Sequence, residues 1–318
     1  MPLHHASHGP PPPAEEDRPR STRLAVLIPF GVVTLIWGST WIVIRDQIGQ
    51  VPPSWSVTYR FLIAGAVMLA LALWRRERFP ADGRGLLFAA ALGLSQFCLN
   101  FNFVYRAEQY VTSGLVAATI ALLLVPNAIL ARIFLGQRMG GQLLLGSALA
   151  VIGVGLLFVQ EAHAADPGSL GNVRLGITIA VGGMLAASVA NVMQATQFSR
   201  RYPMVPMLAI AMLMGAAMNG AIAWTTLGPP ILSRAPGYWA GVLYLGLFAS
   251  ALNFTLYFNV IRMIGPAKAA YSSVLVPIIA MGFSTVFEGY RWSAFAISGG
   301  VLAIFGLVVA LRARRPNR

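Results

Sequence analysis

Residues 97–126 read FCLNFNFVYRAEQYVTSGLVAATIALLLVP, and residues 248–277 read FASALNFTLYFNVIRMIGPAKAAYSSVLVP. Set 151 positions apart without a gap, they place Phe97 on Phe248, Asn102-Phe103 on Asn253-Phe254, Gly114 on Gly265, and Leu124-Val125-Pro126 on Leu275-Val276-Pro277. The same offset carries Ser147 onto Ser298 and Gly155-Leu156 onto Gly306-Leu307. Coincidences of Ala and Leu are expected by chance in so apolar a chain, so the weight rests on Asn-Phe, Val-Pro and the constant offset. The chain reads as two copies of one unit.

What each copy contains follows from composition. Of 318 residues, 57% are hydrophobic and 10% charged, whereas a soluble domain carries about 25% charge. There are too few charges to build a polar surface, so the solvent is lipid. Stretches of about 20 apolar residues are long enough to span a bilayer as helices. Ten such stretches occur, at 24–44, 55–74, 85–105, 112–131, 142–159, 175–199, 205–226, 238–261, 269–287 and 292–311. Arg60 alone falls inside one, near its start, where its long side chain is expected to snorkel to the interface.

The cations test this count independently, because cytoplasmic loops collect Arg and Lys. Alternate loops hold seventeen on one side, from Arg18 to Arg318, and five on the other: Arg45, Arg106, Arg174, Arg234 and Arg291. Both termini are therefore expected in the cytoplasm of a bacterial-type inner membrane, and the net charge of +13 is a topology signal rather than a sign of nucleic-acid binding. The expected organisation is a disordered tail (1–23), a first repeat (24–160), a periplasmic linker (161–174), a second repeat (175–311) and a basic tail (312–318). The first tail has no apolar core and does not read as a signal peptide. Its His4, His5 and His8 are solvated side chains rather than metal ligands. The lone Cys98 excludes an intrachain disulfide and a cysteine zinc cluster.

Five spans per copy force the second copy to enter the membrane inverted. The fold class is thus an all-α integral membrane protein, ten transmembrane helices as a 5+5 inverted repeat around a central cavity. In such a plan the solute site lies near mid-membrane between the repeats, and one bundle rocks against the other.

No catalytic motif stands against that reading: there is no His-Glu-x-x-His, Gly-x-Ser-x-Gly or Walker loop, and no pair of carboxylates inside a span. Neither an enzyme nor a cofactor or metal site is expected. The polar residues within spans are mostly uncharged, among them Asn102, Asn191, Asn253, Tyr257 and Tyr271. A single buried Asn usually fastens one helix to another. The repeat-related Asn102 and Asn253, however, are expected to meet near the pseudo-two-fold axis, at the site. Pro126 and Pro277 each free a carbonyl about one turn earlier, and either kink the bundle or act as hinges. Trp37 and Trp41 share one face of span 1, to stack on an apolar or cationic solute or simply to pack. The small residues of spans 5 and 10, such as Gly146, Gly153, Gly299 and Gly306, suit close helix packing, with self-association as a homodimer their second use.

Further residues carry a family resemblance: Ile36-Trp37-Gly38-Ser39-Thr40-Trp41, Pro52-Pro53 followed by Tyr59-Arg60-Phe61-Leu62, Thr112-Ser113-Gly114-Leu115 leading to Leu135-Gly136-Gln137, and Gly265-Pro266-Ala267-Lys268-Ala269 leading to Phe287-Glu288-Gly289. In this order the chain resembles the EamA type of the drug/metabolite transporter superfamily over nearly its whole length. Two features depart from the pattern. Gly136-Gln137 stands where the family often has Gly-Glu, and Glu288 precedes its glycine, which bears on packing or gating. Span 1 also lacks the carboxylate that small multidrug exporters of the superfamily carry in their first helix.

The resemblance implies a permease, often an exporter, of amino acids, related metabolites or drugs, its cavity built mainly from spans 1, 3, 4, 6, 8 and 9. The expected function is export of a small amphipathic metabolite, an amino acid or derivative, by alternating access. Trp37, Trp41, Asn102, Asn253, Tyr257, Asn191 and Tyr271 would contact the solute, with Arg60 as a structural or carboxylate anchor. The alternatives are a multidrug or organic-cation exporter and, from another class, a non-transporting receptor or scaffold.

Overall fold

The computed structural model describes residues 20–136, 140–164, 170–257 and 272–311. Among them all regular secondary structure is helical. In chain order the helices are α1 (Arg20–Gln47), α2 (Pro53–Trp74), α3 (Gly83–Ala107), α4 (Ser113–Leu135), α5 (Gly141–Ala164), α6 (Leu170–Ala195), α7 (Met204–Leu227), α8 (Pro236–Tyr257), α9 (Ser272–Phe287) and α10 (Ala294–Leu311). Seven of them, α2 to α8, are long and apolar enough to cross a membrane by length and composition. Large apolar side chains such as Leu87, Phe134, Val286 and Val301 lie exposed on the outside, as a protein solvated by lipid requires.

Local chemistry sets the helix ends. Pro53 opens α2 at a position whose N–H would be unpaired in any case. Asp82 caps α3 by accepting from the Gly85 N–H at 3.1 Å. Gly136 ends α4 in the left-handed region, at φ 65°, where a glycine meets no Cβ penalty. Of the predicted tails, residues 1–19 and 312–318 lie outside the described residues, and helix α1 already begins at Arg20.

Three interruptions shape the interior. Helix α4 breaks between Ala121 and Leu124, where Leu122 and Leu123 donate to carbonyls only three residues back. Pro126, whose missing N–H leaves the Leu122 carbonyl without its usual helical donor, sits just beyond. Pro277 by contrast lies inside a continuous α9. The two repeat-related prolines therefore have different local consequences. The other interruptions are π-helical stretches at Gly93–Asn100 in α3 and Tyr244–Leu252 in α8. Such stretches often accompany functional sites.

Helix α2 packs along α7, α5 along α10, and α9 against both α1 and α4. The π segment of α3 lies on α7 through Gly93 and Gly215, since a Cβ at Gly93 would come within 2.5 Å of the Ala211 carbonyl oxygen. The π segment of α8 lies on α2 through Gly246, where a Cβ would stand 3.1 Å from the Arg60 carbonyl oxygen. The small-residue faces of α5 and α10 press against each other, Gly153 on Gly299 and Gly146 on Gly306. These four glycines of the small-residue faces thus serve packing within the chain.

Candidate functional site

Helices α1, α2, α3 and α8 meet in one aromatic region that includes Trp37, Tyr257 and Arg60 of the expected site residues. Trp37 donates its indole N–H to the Ala249 carbonyl at 3.2 Å, within the π segment of α8. Its ring lies 4.9 Å from Tyr257 and 5.7 Å from Phe254. Trp41, one turn along α1, is buried, and its indole Nε1 has no hydrogen-bond partner. Of the expected residues, the structure thus joins Trp37 to Tyr257 directly.

Arg60 departs from expectation. Instead of snorkelling, it is only 2% exposed. Its Nε donates to Ser250 Oγ of α8 at 3.0 Å, and its guanidinium carbon stands 4.4 Å from the Phe101 ring centroid and 5.3 Å from that of Phe61. The rings of Phe61 and Phe101 hold the guanidinium inside through cation–π attraction. No described carboxylate forms an ion pair with it, and its Nη1 has no partner. A buried cation without a direct ion-pair partner costs several kcal/mol, and Glu108 and Tyr105 act on this guanidinium without forming such a pair with it among the described residues.

Asn102 and Asn253, expected to meet near the pseudo-two-fold axis, hydrogen-bond to different partners. Asn102 accepts from Ser54 Oγ at 2.8 Å and donates to the Cys98 carbonyl and to Asn219 Oδ1, while Asn219 donates to the Phe97 carbonyl at 2.9 Å. Asn253 donates to the Val33 carbonyl of α1 at 3.2 Å. The π segment of α3 places carbonyls where neighbouring amides must satisfy them, and that demand fixes Asn102 between α2 and α7 rather than on Asn253. Replacing Asn219 by Leu, which removes the Phe97 carbonyl's side-chain donor and one of the two acceptors of the Asn102 amide, is expected to lower stability by about 1–3 kcal/mol. Thermal unfolding in detergent measures it, and an unchanged midpoint would remove Asn219 from the fastening of α3 to α7.

Asn191 is half-buried on α6, and Tyr271 lies outside the described residues. Sequence reasoning missed Asn219, whose repeat-related position holds Met68. It also missed a cluster where α1, α3 and α9 end and α4 begins. There Arg45 Nε lies 3.5 Å from Glu288 Oε1, and Arg45 Nη1 donates to the Glu108 main-chain carbonyl. Glu288 in turn accepts from Ser113 Oγ at 2.7 Å and from Ser284. The Glu108 side chain beside them is 0% exposed. Hydropathy gives no warning of it, because Glu108 falls in the short gap between two spans.

Apolar helices enclosing a buried cation and an aromatic wall are those of a multi-pass membrane protein. The EamA-like transporter family matches residues 26–159 and 174–312, and the chain belongs to that family. Its relatives include the inner membrane transporter YedA of Escherichia coli strain K12, 30% identical, with 87% of this chain and 88% of YedA covered. A probable terminal-alkyne amino-acid exporter of Streptantibioticus cattleyicolor is 28% identical over 79% of this chain and 82% of its own. One solved crystal structure superposes with a TM-score of 0.63 at 20% identity, covering 91% of this chain and 96% of the other. The protein is a membrane transporter and not an enzyme.

Proposed function

We propose that this transporter exports a small amphipathic metabolite bearing a carboxylate, an amino acid or derivative, by alternating access. The observation that carries the reading is Arg60, a buried guanidinium with an unpartnered Nη1 and, among the described residues, no carboxylate in an ion pair with it. A solute carboxylate completes the ion pair, and Trp37, Trp41 and Tyr257 face the solute's apolar part. Asn191 and Tyr271 are proposed as further solute contacts. Asn102 and Asn253 shape it by fastening α3 and α8, and Pro126 and Pro277 are its hinges. The relative described as an amino-acid exporter supports the direction and the solute class.

The architecture that suits this function is ten membrane helices in a 5+5 inverted repeat, with both termini in the cytoplasm of an inner membrane. Supporting it, π segments begin 151 positions apart, at Gly93–Asn100 and Tyr244–Leu252. The contact of α3 with α7 also has its counterpart in that of α8 with α2, as an exchange of repeats requires. The alternation of cations between loops supports the orientation. An organic-cation exporter fits less well, since a desolvated guanidinium repels a second cation.

The test is exchange in proteoliposomes loaded with a labelled neutral amino acid. Unlabelled amino acids are expected to drive exchange, and the matching amines without the carboxylate to fall short by about tenfold or more, the loss of one charge-assisted hydrogen bond of ~1.5–3 kcal/mol. Equal exchange by the amines would remove the carboxylate from the proposal.

A further inference from the structure

The carboxylates Glu108 and Glu288 stand 180 positions apart in the chain, yet the fold brings them under one arginine. Arg45 of α1 pairs with Glu288 and clamps the Glu108 main chain. Ser113 at the start of α4 and Ser284 of α9 donate to Glu288 as well, and Ser284 Oγ accepts the Gly114 N–H at 2.9 Å. Glu288 is thus well provided with donors. Glu108 is not: neither of its side-chain oxygens has a hydrogen-bond partner.

An ionised carboxylate sealed from water without a donor is far costlier than the neutral acid. Four titratable or charged side chains act on Glu108: Arg45 from α1, Arg60 from α2, Tyr105 from α3 and Glu288 from α9, while α4 brings the neutral Ser113 to the cluster. Arg45 is already engaged by Glu288, and Arg60 by Ser250 and the phenylalanine rings. Burial first, and the neighbouring Glu288 second, push the Glu108 carboxyl well above the usual carboxylate range, against the pull of the two arginines.

We propose that Glu108, backed by Glu288 and Arg45, is a proton-binding latch at the arginine-poor end of the bundle, closed when Glu108 holds its proton and released when that end opens. On opening, water reaches the carboxyl, its O–H bond breaks, the electron pair stays on the carboxylate and the proton passes to solvent. The latch senses the pH on that side alone and moves no proton across the membrane. Because the closed form binds the proton more tightly, it is fully favoured at low pH and lost as pH rises. The outer location rests on the orientation proposed above, while the latch itself does not.

The test uses two single-cysteine proteins in a Cys98→Ala background. Val111→Cys sits at a buried position three residues beyond Glu108, and Gln109→Cys at an exposed one. Labelling by a thiol reagent in detergent is followed from roughly pH 5 to 9, and the ratio of the two rates cancels the pH dependence of the thiol itself. The ratio is expected to rise with pH, by up to about tenfold per unit where one proton is linked to opening. Glu108→Gln, a permanent mimic of the protonated acid, is expected to hold the ratio low and flat.

Glu288→Gln removes a like charge and frees Arg45, so the rise should move to lower pH. A flat ratio in the parent, the same slope in Glu108→Gln, or an unmoved midpoint in Glu288→Gln would each overturn the latch. So would solute-coupled acidification of dye-loaded vesicles that vanishes in Glu108→Gln, which would make Glu108 a coupling site. The labelling needs neither solute nor flux, so a wrong solute class leaves its outcome intact.

Discussion

Replacing Arg60 by Met is expected to abolish the movement of carboxylate-bearing solutes while leaving the protein folded and at least as stable. The two halves of this result have different physical origins. An unpaired guanidinium at 2% exposure is a desolvated charge, and exchanging such a charge for an apolar side chain of similar length is often neutral or stabilising. Against that stand the bond to Ser250 and the contact with Phe101, together a modest few kcal/mol. For the solute the balance reverses. Removing one partner of a buried ion pair costs about 3–5 kcal/mol, which is about 10²–10³ in affinity.

Arg60→Lys discriminates further, because an ammonium keeps the charge but loses the planar fork and the stacking on Phe101. It is expected to transport, with a weaker apparent affinity. Counterflow in proteoliposomes and thermal unfolding in detergent together decide the matter. If Arg60→Met still transports, the guanidinium is not the carboxylate's partner. If it unfolds, Arg60 is a structural post between α2 and α8.

The helices were legible in the sequence because lipid solvation imposes both a length and an absence of charge, two constraints that can be read without knowing any contact. Each of the ten expected segments overlaps a helix among the described residues, and seven of these helices are long and apolar enough to cross a membrane, while positions 258–261 and 269–271 lie outside the described residues. What crosses between helices was far less legible. Arg60 was expected at the interface because hydropathy sees its distance from the span end and not Phe101, 41 positions on in the chain. Repeat logic expects Asn102 and Asn253 near the pseudo-two-fold axis but is silent on their hydrogen-bond partners. Those of Asn102 follow from a π segment, which no composition or periodicity announces. Trp37 and Tyr257 did come together, since the bulky rings of α1 and α8 face one region. Glu108 escaped notice because loops between spans look solvated until the fold closes over them.

A side chain at Gly153 is expected to disrupt the packing of α5 on α10 severely. A Cβ there would lie 2.3 Å from the Ala303 nitrogen and 2.6 Å from the Gly299 carbonyl oxygen. These are backbone atoms, which cannot rotate aside, so helices α5 and α10 would have to separate. One superhelical step away, Gly146 meets Ala310 and Gly306 at the same two distances, so the two helices touch along an antiparallel seam of glycines. In lipid no hydrophobic gain compensates for the separation, because helix association there rests on close packing itself. Gly153→Ala is expected to cost about 1–3 kcal/mol, and Gly153→Leu considerably more. Gly155, two positions on, has nothing within 4 Å of its Cβ position. Gly155→Ala should therefore be neutral or stabilise by up to about 1 kcal/mol through helix propensity. The repeat aligns Gly155 with Gly306, yet only Gly306 lies in the seam, so sequence symmetry alone would have chosen the wrong glycine. Thermal midpoints of the three variants in one detergent test this, and equal midpoints for Gly153→Leu and the parent would show that α5 and α10 do not depend on that contact.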